Sequence, residues 1–547
     1  MPPSESLTLL REASRSNSAT ILQEIDLAEE QHRADKDISA LEDQIKELQQ
    51  RLLTSTGELE EAKMRKALAN SLSASPIRKL PPEILSRIFQ MARKVRIKNP
   101  VDVLDSFLEV SWHWRRVALN PTIWSNVGVQ YYQHSGDNSH GEGPFTLVSA
   151  LRIILTRSND TRLSVSADIL PHHPTVSCLD ANVFSVFCSH VLRLGDVRIL
   201  NRRHWDDLVV LLRVMAGGSQ RLETLSLSQW EEMPTPESLS DITTFIAPQL
   251  QSVALHMAWH PDWLALPWSQ LTHLRLGDRD VVPACYSLAS CFPVLRQCTE
   301  LTHCWVHCVD PSPPSPQDDS PFIPQTPILL PKLRFLSVTM TPGHHLFFER
   351  LEAPHLTELA YTQAHSSTES MVTFKNWIIS SSSILDRLIV DVQREWIRVL
   401  DCISTVTDLH LDISVPLLPE DRKVLEALHL SQDSHSTRYM SRLQNLTFAF
   451  FDPRQNTPAV RGEVDAAISL VISRCSRASS TSSTDLPSLL HHCCFRIPST
   501  DFQDLRQQIE AGLADCVAEG LDLHVEIQPS KSEFMFYKVN GSTKREL

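Results

Sequence analysis

Between Leu222 and Leu443 one short phrase, leucine-x-x-leucine-x-leucine, keeps returning at about 28 residues per step. It reads Leu222, Leu225, Leu227, then Leu250, Val253, Leu255, then Leu271, Leu274, Leu276. It comes back as Leu333, Leu336, Val338, as Leu385, Leu388, Val390, as Val406, Leu409, Leu411 and as Leu443, Leu446, Phe448. Weaker copies start at Leu301 and Leu356, with Cys304 and Tyr361 in apolar places. Alternation puts the apolar side chains of a strand on one face. Each such unit exposes that face until a neighbour stacks on it, so the repeats must share one continuous core. The spacing leaves room for a strand and a helical or irregular return in each unit. Proline recurs just before the phrase, in Ala247-Pro248-Gln249-Leu250, Pro331-Lys332-Leu333 and Ala353-Pro354-His355-Leu356. It is expected to end the preceding helix and set an extended entry.

Flanking units extend the pattern. Leu151–Leu155 reads as helix, Leu163–Ser166 and Val197–Leu200 as strands, and Leu521–Ile527 alternates as a capping strand. The repeat domain is thus expected over 147–530. It is interrupted by a proline-rich loop at 310–331 and a serine-rich loop at 473–488. The first carries Ser312, Ser315, Ser320 and Thr326, each followed by proline. Such sites suit proline-directed kinases.

Upstream, residues 20–70 are rich in Glu, Gln, Lys, Leu and Ala and contain no proline. Ile38, Leu41, Ile45, Leu48 and Leu52 follow a 3-4-3-4 spacing that keeps one apolar seam along a helix. Leu59 and Ala62 continue the seam past Ser55, while Gln31 and Glu24 interrupt it upstream. Two fates fit: a dimerising coiled coil, or an amphipathic helix lying on the protein's own body. Ser71–Pro76 is expected to end the helix as a linker.

A second helical region spans 76–126. Leu80-Pro81-Pro82-Glu83 opens it with prolines suited to a first turn. Ile84, Leu85, Ile88 and Phe89 give a broad apolar helical face. A second helix is expected from Pro100 or Val101 to Val110, and a third from Ser111 to Leu119 carrying Trp112 and Trp114. Asn120-Pro121 stops it, and Ile123-Trp124 packs back. So small a module cannot cover this much apolar and aromatic surface alone. Either the rest of the chain or a partner must do so.

These residues resemble an F-box, in the form common in large fungal families. Leu80-Pro81 matches the opening Leu-Pro, and Ile84, Leu85, Ile88 and Phe89 match the first apolar helix. Val110, Trp114 and Arg115 match the Val-Cys-x-x-Trp-Arg core, and Leu119 and Trp124 the closing residues. Ser111 stands where the family has cysteine, and Trp112 is bulkier than the usual polar residue. The resemblance implies that Leu80, Pro81, Ile84, Leu85, Ile88, Phe89, Trp114, Leu119 and Trp124 bind a Skp-type adaptor or hold the helices together. The adaptor would link the chain to a cullin. The repeats are similar to leucine-rich repeats, without most of their diagnostic Asn or Cys. The expected fold is therefore α+β and multi-domain: a helix, a three-helix F-box-like module and an irregular leucine-rich-repeat-like solenoid. The expected role is substrate recruitment to a Skp–cullin–F-box (SCF) ubiquitin ligase. A repeat scaffold with no ligase role is the alternative.

Composition narrows the remaining chemistry. The net charge of −14 argues against nucleic acid as a partner. No run is apolar enough to span a membrane, and no secretory signal opens the chain. The twelve cysteines form no CxxC pair, so a reducing cytoplasmic or nuclear compartment is expected. With only 14 glycines there is no phosphate-cradling loop, and no GxSxG or HExxH occurs. The His303–Cys308 segment, with Cys298 nearby, places Cys304 and Cys308 on the face of Val306, away from His303 and His307. No metal site, cofactor or catalytic residue is expected there, nor at His491–Cys494, His172-His173 or His344-His345. Solvent-facing strand positions such as Ser226, Arg275 and His410 are the candidates for substrate contact.

Overall fold

The computed structural model describes residues 27–74, 80–94, 108–132 and 144–527, with isolated positions before residue 16. Within 144–527 it leaves out 171–184, 202–204, 230–243, 257–263, 278–285, 287, 309–325, 341–344, 364–367, 382–383, 416, 430–439, 452–456, 476–489 and 499–501. The expected linker after Ala74, most of the second helix, 310–325 of the proline-rich loop and 476–488 of the serine-rich loop lie outside the described residues. The end of the proline-rich region holds a short strand, Ile328–Leu329, where only loop was expected, because it pairs in parallel with Leu351–Glu352. Contacts divide the chain into two compact units, Met1–Phe89 and Gln90–Leu547.

The first unit is dominated by α1, Leu27–Ala74. It runs past the expected end at Asn70, because nothing before Pro76 breaks a helix. Arg33–Glu30, Arg51–Glu47 and Lys63–Glu60 pair along its surface at 2.6, 2.6 and 2.8 Å. Pairs so exposed add only tenths of a kcal/mol each. The seam residues Ile38, Leu41, Ile45, Leu48, Leu52 and Leu59 are all exposed. Next in the chain comes α2, Pro82–Lys94, with Pro82 and Glu83 in its first turn. The division between the units falls inside this helix.

The second unit is a mixed α/β structure built on one 14-stranded sheet. It opens with α3 (Trp112–Ala118), α4 (Pro121–Trp124) and β1 (Asn126–Tyr132). Then follow α5 (Pro144–Arg157), β2 (Leu163–Leu170), β3 (Leu194–Asn201), α6 (Trp205–Ala216) and β4 (Thr224–Gln229). β5 (Ser252–His256), β6 (His273–Leu276), α7 (Leu288–Gln297) and β7 (His303–Cys308) continue the series. A small side pair, β8 (Ile328–Leu329) with β10 (Leu351–Glu352), brackets β9 (Phe335–Met340) and α8 (His345–Arg350). β11 (Glu358–Gln363), α9 (Thr368–Ser381), β12 (Arg387–Asp391) and β13 (Asp408–Ser414) come next. The chain ends in α10 (Pro419–Leu428), β14 (Asn445–Phe451), α11 (Thr457–Cys475), β15 (His492–Ile497), α12 (Phe502–Gly512), α13 (Ala514–Ala518) and β16 (Asp522–Ile527). Strands of the main sheet pair in chain order and all in parallel, so every return advances the chain by one place.

Two boundaries differ from expectation. The sheet begins at Asn126, not 147, because β1 pairs with β2 although its Asn-Val-Gly-Val-Gln-Tyr-Tyr lacks the leucine phrase. The division between the units falls within the expected 76–126 region, and its third helix leads through α4 directly into β1.

The core follows the phrase. Leu225, Val253, Leu274, Cys304, Leu336, Leu359, Leu388, Leu409, Leu446 and Cys493 stand in register across successive strands, all buried. Burying each leucine contributes about 2 kcal/mol. Cys304 and Tyr361 fill core places that are leucine elsewhere. The larger Tyr361 ring stacks on Phe374 at 4.6 Å and meets Trp396 edge-on at 5.8 Å.

Proline plays a different part from the one expected. Ala247–Leu250 and Ala353–Leu356 are turns closed by the last N–H onto the first carbonyl, at 3.1 and 3.2 Å. Pro248 and Pro354 hold the second turn position, which their fixed φ suits. The leucine that closes the turn opens the phrase. The residue immediately before the strand is often threonine, and its hydroxyl reaches back to the previous repeat. Thr302 Oγ1 donates to the Thr272 carbonyl at 2.9 Å, and Thr272 and Thr357 donate likewise to Gln251 and Arg334 at 3.2 Å. This ladder joins repeat to repeat just before several of the strands.

Candidate functional site

Two surfaces carry the residues singled out from the sequence. The first is the helical region. Helix α2 presents two adjacent apolar stripes, each at i, i+4 spacing. Leu85 and Phe89 are buried, whereas Ile84 and Ile88 are 48% and 37% exposed, with Met91 continuing the exposed stripe. Pro81 is exposed and Leu80 half-buried. Its carbonyl oxygen lets Pro81 start the helix, accepting from the Leu85 N–H at 3.0 Å.

Helix α3 is capped by Ser111, whose side chain accepts from the Trp114 N–H at 3.2 Å. Serine in the usual cysteine position therefore supplies an N-cap that cysteine would make poorly. Arg115 Nε donates to the Leu108 carbonyl at 2.9 Å, tying the helix to the turn before it. Asn120 caps α4 by accepting from the Thr122 N–H at 3.1 Å. Trp124 is buried, and its indole N–H donates to the Ala118 carbonyl at 2.6 Å. The Arg157 guanidinium lies over the ring, 4.5 Å from its centre. Trp114 is half-buried and Leu119 exposed. Trp112, the residue that departs from the family pattern, is 72% exposed under the Arg116 guanidinium.

Burial therefore sorts the motif. Pro81, Ile84, Ile88 and Leu119 face outward, Leu80 and Trp114 are intermediate, and Leu85, Phe89 and Trp124 are core.

The second surface is the sheet face opposite the leucines. On it His273, His303 and Phe335 occupy one register row, and Arg275 and Trp305 the next. The His273 and His303 rings stack at 4.5 Å, and Trp305 lies 5.0 Å from Phe335. This half-buried patch offers flat rings with a guanidinium one rung away. Further along, Arg387 bridges Glu358 and Asp408 on either side at 3.5 and 3.8 Å. Of the suggested contact residues, Ser226 and Arg275 are half-buried on this face. His410 is not available as expected: it is 2% exposed, its Nε2 2.9 Å from Asp412 Oδ1. Strand alternation fixes the side on which a residue lies, not whether that side is covered. Ile389 and Ala449, on the same side of neighbouring strands, are buried too.

A family-model scan and a search of curated proteins return no match to this chain.

The cysteine and histidine clusters separate as alternation requires. Cys304, Val306 and Cys308 are core, and burial pushes the Cys298 thiol up to about 12 and Cys304 well above its usual range. Thiols held protonated are poor nucleophiles. Among the described residues, His492, Asp522 and His524 bring donor atoms within 4.8 Å of one another. The carboxylate is already shared, with Oδ2 3.1 Å from His492 Nδ1 and Oδ1 3.2 Å from His524 Nε2. The group sits at the last strand, where charge discourages further pairing. Among the described residues no helix is long and apolar enough to cross a membrane.

The imidazole stack gives a pH test. Burial, aided by the positive charge that His303 can carry beside it, holds His273 down at about 4. A depressed folded value means that stability is fully present above the unfolded value of about 6.5 and is lost as pH falls towards 4. Allowing for partial exposure, about 1 kcal/mol should disappear between pH 7 and pH 4.5 through this ring. Urea unfolding of wild type and His273→Asn at both pH values measures it. The variant should lose less on acidification, and equal losses would exclude His273 as the source.

Proposed function

We propose that this chain is the substrate-recruiting subunit of an SCF ubiquitin ligase. The observation that carries the reading is the division of α2. Its motif residues split into a buried pair, Leu85 and Phe89, and an exposed pair, Ile84 and Ile88, on a helix that begins at the Leu80-Pro81 signature. A docking helix needs such a division, with one stripe to hold it and one to offer. The motif's order from Leu80 to Trp124 supports the same reading. The parallel sheet with its advancing returns is read as an irregular leucine-rich-repeat-like solenoid, and its ring-lined face around Trp305 as the place for a protein substrate. The ligase setting is cytoplasmic or nuclear.

The mechanism needs no catalytic group from this chain. Adaptor and cullin hold the ubiquitin-charged enzyme near the bound substrate, and tethering raises the local concentration of reacting partners. The test is capture of purified Skp-type adaptor by the full chain, with Leu80→Ala/Pro81→Ala as comparison. Capture by wild type and loss in the variant is the expected result. A folded wild type that captures no adaptor would leave a repeat scaffold without ligase role as the better account.

A further inference from the structure

We infer that α1 pairs with α1 of a second copy of this chain as an antiparallel two-stranded coiled coil. The helix runs for 48 residues, about 70 Å at 1.5 Å per residue, with its apolar seam exposed. The seam assigns Ile38, Ile45, Leu52 and Leu59 to position a and Ala34, Leu41, Leu48 and Ala62 to position d of a heptad.

Orientation follows from the flanks. Among the charged residues, positions e and g carry Glu30, Asp35, Asp37 and Glu42 in the first half and Arg51, Glu58, Lys63 and Arg65 in the second. In a parallel pair, each g residue faces the e residue of the next heptad on the other copy. Glu30 would then face Asp35, Asp37 would face Glu42, and Lys66 would meet Lys66 inside the seam. All three contacts are repulsive, against one attractive pair, Glu58 with Lys63.

Reversing one helix makes e face e and g face g. With Leu48 opposite Leu52 of the second copy, Leu41 meets Leu59 and Ile38 meets Ala62. Asp35 then faces Lys63, and Asp37 faces Arg65, each contact made twice by symmetry. Lys66 falls opposite Ala34, where a small partner lets its stem cover the seam and its ammonium reach water. Arg51 meets Arg51 at the dyad, a like-charge contact, but each Arg51 already carries Glu47 at 2.6 Å.

Sedimentation equilibrium of the full chain tests the inference, with circular dichroism to check that variants stay helical. Wild type should be a dimer. Asp35→Lys/Asp37→Lys should raise the dimer dissociation constant about ten-fold or more, from the summed loss of exposed pairs. Adding Lys63→Asp/Arg65→Asp should restore it. The parallel arrangement predicts the opposite first result. There the substitution at Asp35 would set a lysine against Glu30, and that at Asp37 a lysine against Glu42, tightening the dimer. Tightening, or a wild type that stays monomeric, overturns the inference. Adaptor capture enters none of these readouts, so the outcome is independent of the ligase reading.

Discussion

Replacing Ile84 and Ile88 together with aspartate should reduce adaptor capture at least about 100-fold while leaving the unfolding midpoint nearly unchanged. Both side chains lie on the exposed stripe of α2, one helical turn apart. Their exposure means that the free chain has little packing to lose. A bound partner would have to bury two carboxylates against apolar surface, at a cost of several kcal/mol. Isothermal titration against the purified adaptor, with thermal melts of the free protein, separates the two quantities. A variant that melts early would show that the stripe packs within the chain. A variant that melts normally and still binds tightly would remove α2 from the docking surface.

How far the sequence foretells this arrangement depends on which physical signal each element carries. The main-sheet strands from β4 to β14 are legible because a period of two recurs in them at an interval that averages about 28 residues. β15 is also a copy of the phrase, with Leu490, Cys493 and Phe495 buried, but cysteine and phenylalanine mask it. It is absent from the expected strands, although Cys304 in β7 offers the precedent. β1 is masked in the same way: Trp124, Val127 and Val129 stand at the three places of the phrase with no leucine among them, and Trp124 and Val127 are buried. The proline turns are visible as residues but not as geometry: Ala-Pro-x-Leu fits an extended entry and a closed turn equally well until the Leu250 N–H finds the Ala247 carbonyl.

In the helical region, the sequence locates the motif but cannot say which side faces in. Ile84, Leu85, Ile88 and Phe89 make one continuous apolar arc on a wheel. Periodicity reports the arc's width, whereas burial requires knowing what lies beside it. The same limit explains the miss at His410. Its place beside Leu409 and Leu411 fixes the face correctly, but the face is covered at that point.

The core half of the motif yields the other large effect. Trp124→Ala should destabilise the second unit by about 3–5 kcal/mol, the range for truncating a buried aromatic. The ring is 1% exposed, its N–H is bonded to the Ala118 carbonyl, and Arg157 loses the surface on which it rests. Trp124→Phe keeps most of the volume and removes the hydrogen bond, leaving the carbonyl short of a donor, so about 1–2 kcal/mol is expected. Urea unfolding followed by far-ultraviolet circular dichroism resolves both steps. Because α4 leads straight into β1, the loss should propagate into the first strands rather than stay in the helices. Adaptor affinity of the Phe variant, measured where it remains folded, should match wild type, since the tryptophan holds the helices from inside. A stable Trp124→Ala that fails only in docking would reverse that assignment and place the closing tryptophan on the binding surface.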